Sequence, residues 1–413
     1  MKDERIADKL TDSKIVFIDG LPLSAAENDS VRRVMSTFYY DQFRHFEDPD
    51  APYFMFMSRD AKLSMGIGGK VKLTGWYEWG GAVPDKGLVP YLIPIPENPA
   101  ARTHLGTDIG GTALFFRVIG RNNKVGLYSL YIEAGFSGYK NRDFKLKKAY
   151  ATMRDFTVGY ASSTFSDPST LAPDVDAQGA TSQFDLTRVL VRYMPTFADK
   201  YTVAVSAEYP ADVTIQSTAD AEALDASVPD FAAFAQYSWE KGSHVRLSGI
   251  IRTMGYRDLV AGRNHHITGW GTQLSAVGSL GRSVTLYGQA NYGLGMAGMT
   301  QDLGAGEMDL LADPAAAPGT LYSPKSWGWN VGAQYDFSKS VFASVQASQT
   351  RLLPGHPVEP STYKYGLYAA ANVYWSVTPR IKVAGQFTWG QRHNFDGSHR
   401  AARRVEALAS FSF

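Results

Sequence analysis

From about residue 61 to the end of the chain, apolar and polar positions alternate with a period of two. In V-T-L-Y-G-Q-A-N-Y (284–292), Val284, Leu286, Gly288, Ala290 and Tyr292 share one side, with Thr285, Tyr287, Gln289 and Asn291 opposite. V-F-A-S-V-Q-A-S-Q (341–349) sets Val341, Ala343, Val345 and Ala347 against Ser344, Gln346 and Ser348. I-K-V-A-G-Q-F-T-W (381–389) sets Ile381, Val383, Phe387 and Trp389 against Lys382, Gln386 and Thr388. Successive side chains of a strand point to opposite faces, so this spacing predicts strands with one apolar and one polar face. Each segment is close to the length of a membrane-crossing strand, about 9 to 11 residues. The final stretch, R-R-V-E-A-L-A-S-F-S-F, places Val405, Ala407, Ala409, Phe411 and Phe413 opposite Arg404, Glu406, Leu408, Ser410 and Ser412. It stops on an aromatic residue, where chain ends are usually polar and frayed unless something holds them.

The connections alternate between short and long. Short ones fall at 120–124, 152–155, 196–200, 240–243, 280–283, 337–340 and 377–380; wide ones cover roughly 81–109, 162–182, 210–229, 296–323, 352–364 and 391–402, with shorter members near 137–142 and 256–264. Seven tight turns and eight wider loops join about sixteen strands, the pattern of an outer-membrane barrel with its turns on the periplasmic side and its long loops outside. A soluble sandwich has no reason to sort connections by length in this way. The predicted fold is therefore all-β: a transmembrane antiparallel β-barrel of about sixteen strands over residues 61–413. Residues 1–60 form a short periplasmic or plug-like extension. Within it, Val31, Val34, Met35, Phe38 and Tyr39 recur at helical spacing after Asp29 or Ser30, which predicts one short amphipathic helix.

Composition agrees with a barrel. Among 413 residues there are 23 Tyr, 22 Phe and 39 Gly, a mixture that favours strands, turns and interfacial girdles. Cysteine is absent, which excludes disulfide frameworks, cysteine zinc sites and thiol nucleophiles together. With 41 basic and 40 acidic residues the net charge is +1, so bulk charge does not point to nucleic acid. No apolar run is long enough for a transmembrane helix. The opening M-K-D-E-R-I-A-D-K-L lacks the apolar core of a secretory leader, so an exported protein is expected here in mature form.

Several stretches resemble the DcaP-like porins of Gram-negative outer membranes. They are F-K-L-K-K-A-Y-A-T-M-R-D-F-T-V-G-Y-A-S-S-T-F-S-D (144–167) with the Q-F-D-L-T-R-V-L-V-R-Y that follows its loop, I-R-T-M-G-Y-R-D (251–258), G-W-G-T-Q-L-S-A (269–276) and the aromatic C-terminus. The resemblance covers roughly residues 61–413. It implies a trimeric diffusion channel of sixteen strands in the outer membrane, with the third external loop folded into the lumen and a preference for small anionic solutes. It also implies that Phe413 belongs to a signal for the outer-membrane assembly machinery. That family carries an N-terminal coiled coil, whereas residues 1–60 here show no sustained heptads.

If apolar faces meet lipid, charges on the other face line the pore, because a lipid-facing Arg near the midplane costs about 2–4 kcal/mol. Arg117 and Arg121 are four apart and share a face, as do Arg188 and Arg192; Arg246 and Arg252 are six apart and also share one. Together with Lys382 they form a candidate positive stripe that would concentrate anions. The alternative is a braced wall in which Glu208, Glu406 or Asp185 pairs with each Arg. Loop 162–182 is the candidate constriction, with Asp167, Asp174 and Asp176 facing the basic wall; the alternative is an ordinary external loop. Asp174-x-Asp176 supplies too few oxygens for calcium, so no metal or cofactor is expected.

Enzyme signatures are weak. His265, His266 and His393 sit in no metalloprotease frame, and G-x-S-x-G does not occur. A porin is the expected function, with no catalytic residues. A barrel enzyme of lipase or protease type and a soluble all-β binding module are the competing classes.

Overall fold

The computed structural model describes residues 14–17, 54–58, 62–81, 86–136, 143–216, 218–240 and 242–413. The amphipathic helix expected over 29–39 and the connection 137–142 lie outside these residues. The strands are β1 (Lys14–Phe17), β2 (Phe54–Met57), β3 (Leu63–Trp79), β4 (Thr103–Asp108), β5 (Ala113–Asn122), β6 (Gly126–Phe136), β7 (Phe144–Met153) and β8 (Phe156–Ser162). They continue with β9 (Thr187–Tyr193), β10 (Thr196–Phe197), β11 (Tyr201–Glu208), β12 (Ala221–Ala223), β13 (Asp230–Glu240), β14 (Ser243–Asp258), β15 (Arg263–Leu280) and β16 (Val284–Leu294). The last are β17 (Leu311–Ala312), β18 (Leu321–Tyr322), β19 (Lys325–Asp336), β20 (Val341–Leu353), β21 (Tyr363–Ser376), β22 (Ile381–Asn394) and β23 (His399–Ser412).

Sixteen crossing strands close into one antiparallel barrel, β4 and β5 together forming the second. Closure is made by β23 against β3, from Arg403↔Trp79 to Ser412↔Lys70. The first and last crossing strands are thus paired with each other, which is what a wall in hydrocarbon requires. Within the described residues no helix is long and apolar enough to cross a membrane. Short connections follow β5, β7, β9, β13, β15, β19 and β21 at one end. The other connections leave the opposite end after β3 (L1), β6 (L2), β8 (L3), β11 (L4), β14 (L5), β16 (L6), β20 (L7) and β22 (L8). L1, L3, L4, L6 and L7 are wide, whereas L5 (259–262) and L8 (395–398) are turns of four residues, because β14, β15, β22 and β23 run on past the expected loop bounds.

The period of two has its expected consequence. Val71, Leu73, Val189, Val191, Leu247, Ile251, Val345 and Val373 lie exposed on the outer wall, while Thr74, Arg192, Ser248, Gln289, Asn330 and Asn372 are buried on the inner one. Trp375, Phe411 and Tyr335 stand at the turn end of the apolar belt, and Trp79, Trp270 and Trp389 nearer the loop end. These are the two aromatic girdles of a bilayer-spanning barrel.

Two local features shape the closing seam. Phe413 continues the ladder beyond β23: its N–H donates to the Gly69 carbonyl and its own carbonyl accepts from Gly69 N–H, both at 2.9 Å. A Cβ on Gly69 would stand 2.8 Å from Phe413 Cζ, so the glycine opens the slot that the terminal ring fills. Between β4 and β5, Gly111 turns the chain with φ +88°, and the Thr112 hydroxyl replaces the lost ladder partner. Lys72 N–H donates to Thr112 Oγ1 at 3.0 Å, and Thr112 Oγ1 donates to the Lys72 carbonyl at 3.2 Å. At the turn end, β2 pairs antiparallel with β3 and β1 parallel with β2, so part of the expected extension joins the sheet.

Candidate functional site

The lumen owes its shape to L3 (163–186), which leaves β8, crosses the barrel interior and returns to β9. It is fixed at three places. The first is Asp167, fully buried, whose carboxylate accepts Ser275 Oγ (2.6 Å) and Ser169 Oγ (2.6 Å). His244 Nε2 lies 2.9 Å away and Arg246 Nη1 3.5 Å away. Gln289 Nε2 donates to the Asp167 carbonyl at 2.7 Å. Burial alone would raise the pKa of Asp167, but the Arg246 charge and the His244 and Ser169 hydrogen bonds outweigh it and hold the carboxyl below the usual range.

The second attachment is Pro173–Val175. Ser344 Oγ (2.7 Å) and Asn372 Nδ2 (3.0 Å) donate to the Pro173 carbonyl, and Val175 N–H donates to Gln386 Oε1 at 2.6 Å. Val175 packs among Phe342, Tyr374 and Leu408 on the inner wall. Asp174 accepts from Tyr368 OH (2.8 Å) and from Gln346 Nε2. Burial first, and then the Asp176 charge, push its carboxyl up.

The third is Asp176. Leu88 N–H of L1 donates to it at 2.9 Å, and Arg404 Nη1 lies 3.4 Å away. The Arg404 guanidinium also pairs with Glu78 Oε2 at 2.7 Å, lies 3.5 Å from Glu406 Oε1 and donates to the Lys86 carbonyl at 2.9 Å. One cation thus binds L1, L3 and the barrel seam together. L6 (295–324) closes over the loop: Gln301 and Asp302 N–H donate to the Gln183 and Thr181 carbonyls, each at 3.2 Å. Asp302 in turn accepts from Tyr91 N–H of L1 at 2.8 Å and from Tyr363 OH. Its carboxyl is pushed up to about 6, chiefly by burial.

The candidate residues divide by what they touch. Arg246 meets Asp167 of L3, and Arg252 Nη1 meets Asp309 of L6 at 2.9 Å. Both ion pairs use loop carboxylates, where the braced-wall alternative had named carboxylates elsewhere. Arg192 Nη1 donates to the Ser162 carbonyl at 3.1 Å, and Arg188 Nη1 approaches the Tyr209 carbonyl at 3.5 Å. Arg117 is buried with its guanidinium 5.6 Å from the Tyr131 ring centre. Arg121 shares its face but is exposed at the turn end, and Lys382 stands there too, 5.9 Å from the Tyr374 ring centre.

Sequence reasoning did not single out the inward lysines. Lys70 and Lys72 on β3 are half-buried on the lumenal face, and so are Lys147 and Lys148 on β7, where a bulge lies opposite Glu133–Ala134. Lys147 Nζ is 3.7 Å from Glu133 Oε1. Lys72 lies within electrostatic reach of Lys70, of Asp108 and Glu406 on neighbouring strands, and of Asp174 in L3. Alternation in K-V-K-L-T-G-W-Y-E-W would have placed Lys70, Lys72 and Glu78 together; the bulge hides the β7 pair.

No protein-family model matches the sequence, and no curated protein matches it. Solved structures do. The outer membrane channel DcaP of Acinetobacter baumannii superposes with a TM-score of 0.73 at 18% identity, over 87% of this chain and 99% of that one. An anion-selective porin from Comamonas acidovorans gives 0.57 at 11% identity, over 85% and 100%. OmpT, an outer membrane protein of Vibrio cholerae, gives 0.51 at 10% identity, over 85% and 98%. At these identities the likeness is one of fold.

Proposed function

We propose that the protein is a porin of a Gram-negative outer membrane, a passive diffusion channel for small hydrophilic solutes with a preference for anions. The observation that carries this reading is a closed barrel, apolar outside and polar inside, with L3 held across its lumen by Asp167, Pro173 and Asp176. A loop held across the lumen in this way narrows the path through the barrel, as a porin constriction does. The anion preference is supported by four half-buried lysines on the lumenal face, Lys70, Lys72, Lys147 and Lys148, against a single nearby strand carboxylate on the β7 side, Glu133, 3.7 Å from Lys147 Nζ. Lys72, within electrostatic reach of Asp174 in L3, contributes to a transverse field in a low-dielectric surround, where charge acts strongly on a passing solute. Homotrimeric assembly is supported by the fold, since one solved OmpT of this likeness is a trimer form. Capture by the outer-membrane assembly machinery would use Phe413, whose ring lies at the turn-end girdle.

A catalytic reading is disfavoured by the geometry of the Ser275, His244 and Asp167 group in the lumen. Ser275 and His244 both address Asp167 Oδ2, so serine bonds the carboxylate and not the imidazole, and no activated nucleophile results. Liposome swelling tests the proposal. Vesicles containing the folded protein should swell in iso-osmotic small organic anions faster than in neutral solutes of equal size. Swelling no faster than that of protein-free vesicles would overturn it.

A further inference from the structure

The outer wall carries one feature that the channel does not use. On the loop side of the Trp389 girdle, a single ladder rung runs across five neighbouring strands: Trp327↔Arg351 (β19–β20), Arg351↔Tyr365 (β20–β21), Tyr365↔His393 (β21–β22) and His393↔His399 (β22–β23). Strand alternation turns all five side chains outward, since their neighbours Ser326, Leu352, Gly366 and Asn394 are buried inside. The row is continuous. The Arg351 guanidinium lies 5.7 Å from the Tyr365 ring centre, Tyr365 and His393 stack at 4.3 Å, and His393 and His399 stack at 5.0 Å with 12° between planes.

No carboxylate stands in this rung. The next one toward the membrane is Trp329, Gln349, Leu367, Gln391 and Ala401, also without an acid. Among the described residues Arg351 has no ion-pair partner, and its Nε has no hydrogen-bond partner. The nearest acid of the L8 hairpin, Asp396, is turned to Ser398 N–H at 2.8 Å. His393 lies four residues beyond Trp389, which at roughly 3.3 Å per residue and a tilt of roughly 40° puts the row about 10 Å above the girdle. That is the depth of lipid headgroups.

We propose that this row is a binding site for the phosphate of an outer-leaflet lipid headgroup. Arg351 supplies a planar donor pair suited to phosphate oxygens, the stacked imidazoles add donors that can become cationic beside an anion, and Trp327, Trp329 and Leu367 receive the upper acyl chain. The occupant is a lipid because the row continues directly into the hydrocarbon-facing wall. The inference rests on the outer-membrane reading, but its test does not require conduction.

The test uses the full chain, folded in detergent and followed by native mass spectrometry. An acylated glucosamine disaccharide bearing two phosphates, its dephosphorylated form and inorganic phosphate are the probes. The wild type should retain the bisphosphorylated lipid at least about tenfold better than the dephosphorylated one, and excess inorganic phosphate should not displace it. R351Q/H393Q/H399Q should lose most of that difference while keeping heat-modifiable gel migration. R257Q, on a different part of the rim, should keep it. Equal retention of the two lipids by the wild type would overturn the proposal, and this comparison needs no variant. Displacement by inorganic phosphate, or full retention by the triple variant, would overturn it as well.

Discussion

Asp167→Asn isolates the electrostatic part of the L3 attachment while nearly preserving side-chain volume. The wild-type carboxylate is buried among His244, Arg246, Ser169 and Ser275. Removing one charge from a buried ion pair typically costs about 3–5 kcal/mol, because the partner is left desolvated and uncompensated. Arg246 keeps Gln236 Oε1 (2.6 and 2.9 Å) and the Ser166 carbonyl (3.1 Å), which places the loss near the lower end, about 3 kcal/mol. At about 1.4 kcal/mol per tenfold, the released-loop population rises roughly a hundredfold. The barrel wall keeps its ladder, so the protein should still fold and insert. Single-channel recordings in planar bilayers should show larger and noisier openings, and protease should cut within L3 faster than in the wild type. Asp174→Asn is the control in the same loop. There burial and the Asp176 charge oppose ionisation, so neutralising the group should leave the loop as tight or tighter. The reasoning is refuted if D167N conducts quietly at wild-type size, or if D174N loosens L3 to the same degree.

Three further outcomes are expected. K70Q/K72Q should shift the reversal potential in a salt gradient toward the unselective value, reducing the anion-to-cation permeability ratio by about twofold or more, with conductance steps otherwise intact. The carboxyl of Asp302 is raised in the folded state to about 6 from 3.8, so its contribution to the L1–L6 contact is fully present below about 3.8 and is lost as pH rises through about 6; loop-dependent current noise should therefore grow between pH 4 and 7, and D302N should flatten that rise. Gly69→Val should displace the Phe413 ring and crowd the Ala113 carbonyl, each 2.8 Å from the new Cβ, costing about 1–3 kcal/mol and lowering the temperature at which the folded gel band converts to the unfolded one.

The strands were legible because lipid and water impose opposite demands on adjacent residues, and that demand is local. It gave the inward face of Arg188, Arg192, Arg246 and Arg252 directly, since Val189, Val191, Leu247 and Ile251 must take the other side. Beyond the girdle the demand lapses, and the sequence reading failed there in a consistent way. Residues 103–108 were placed in a wide loop but form β4 on β3, and 391–402 were placed in a loop although β22 runs to Asn394 and β23 begins at His399. Those upper rungs are held by stacked Tyr365, His393 and His399 rather than by apolar alternation.

What the arginines do was not legible either. Whether Arg246 faces water or Asp167 depends on a loop about eighty residues away in sequence, and no periodicity encodes such a contact. Arg404 was assigned correctly to the polar face of the last strand, yet its role at the junction of L1, L3 and the seam depends on Glu78 and Asp176, far along the chain.

The central claim, an aqueous channel through this barrel, is tested most directly by adding the purified, heat-modifiable protein to planar bilayers under a salt gradient. The account predicts stepwise ohmic conductance that grows with salt and reverses at a potential of the sign set by anions. Folded protein that inserts and never conducts would contradict it.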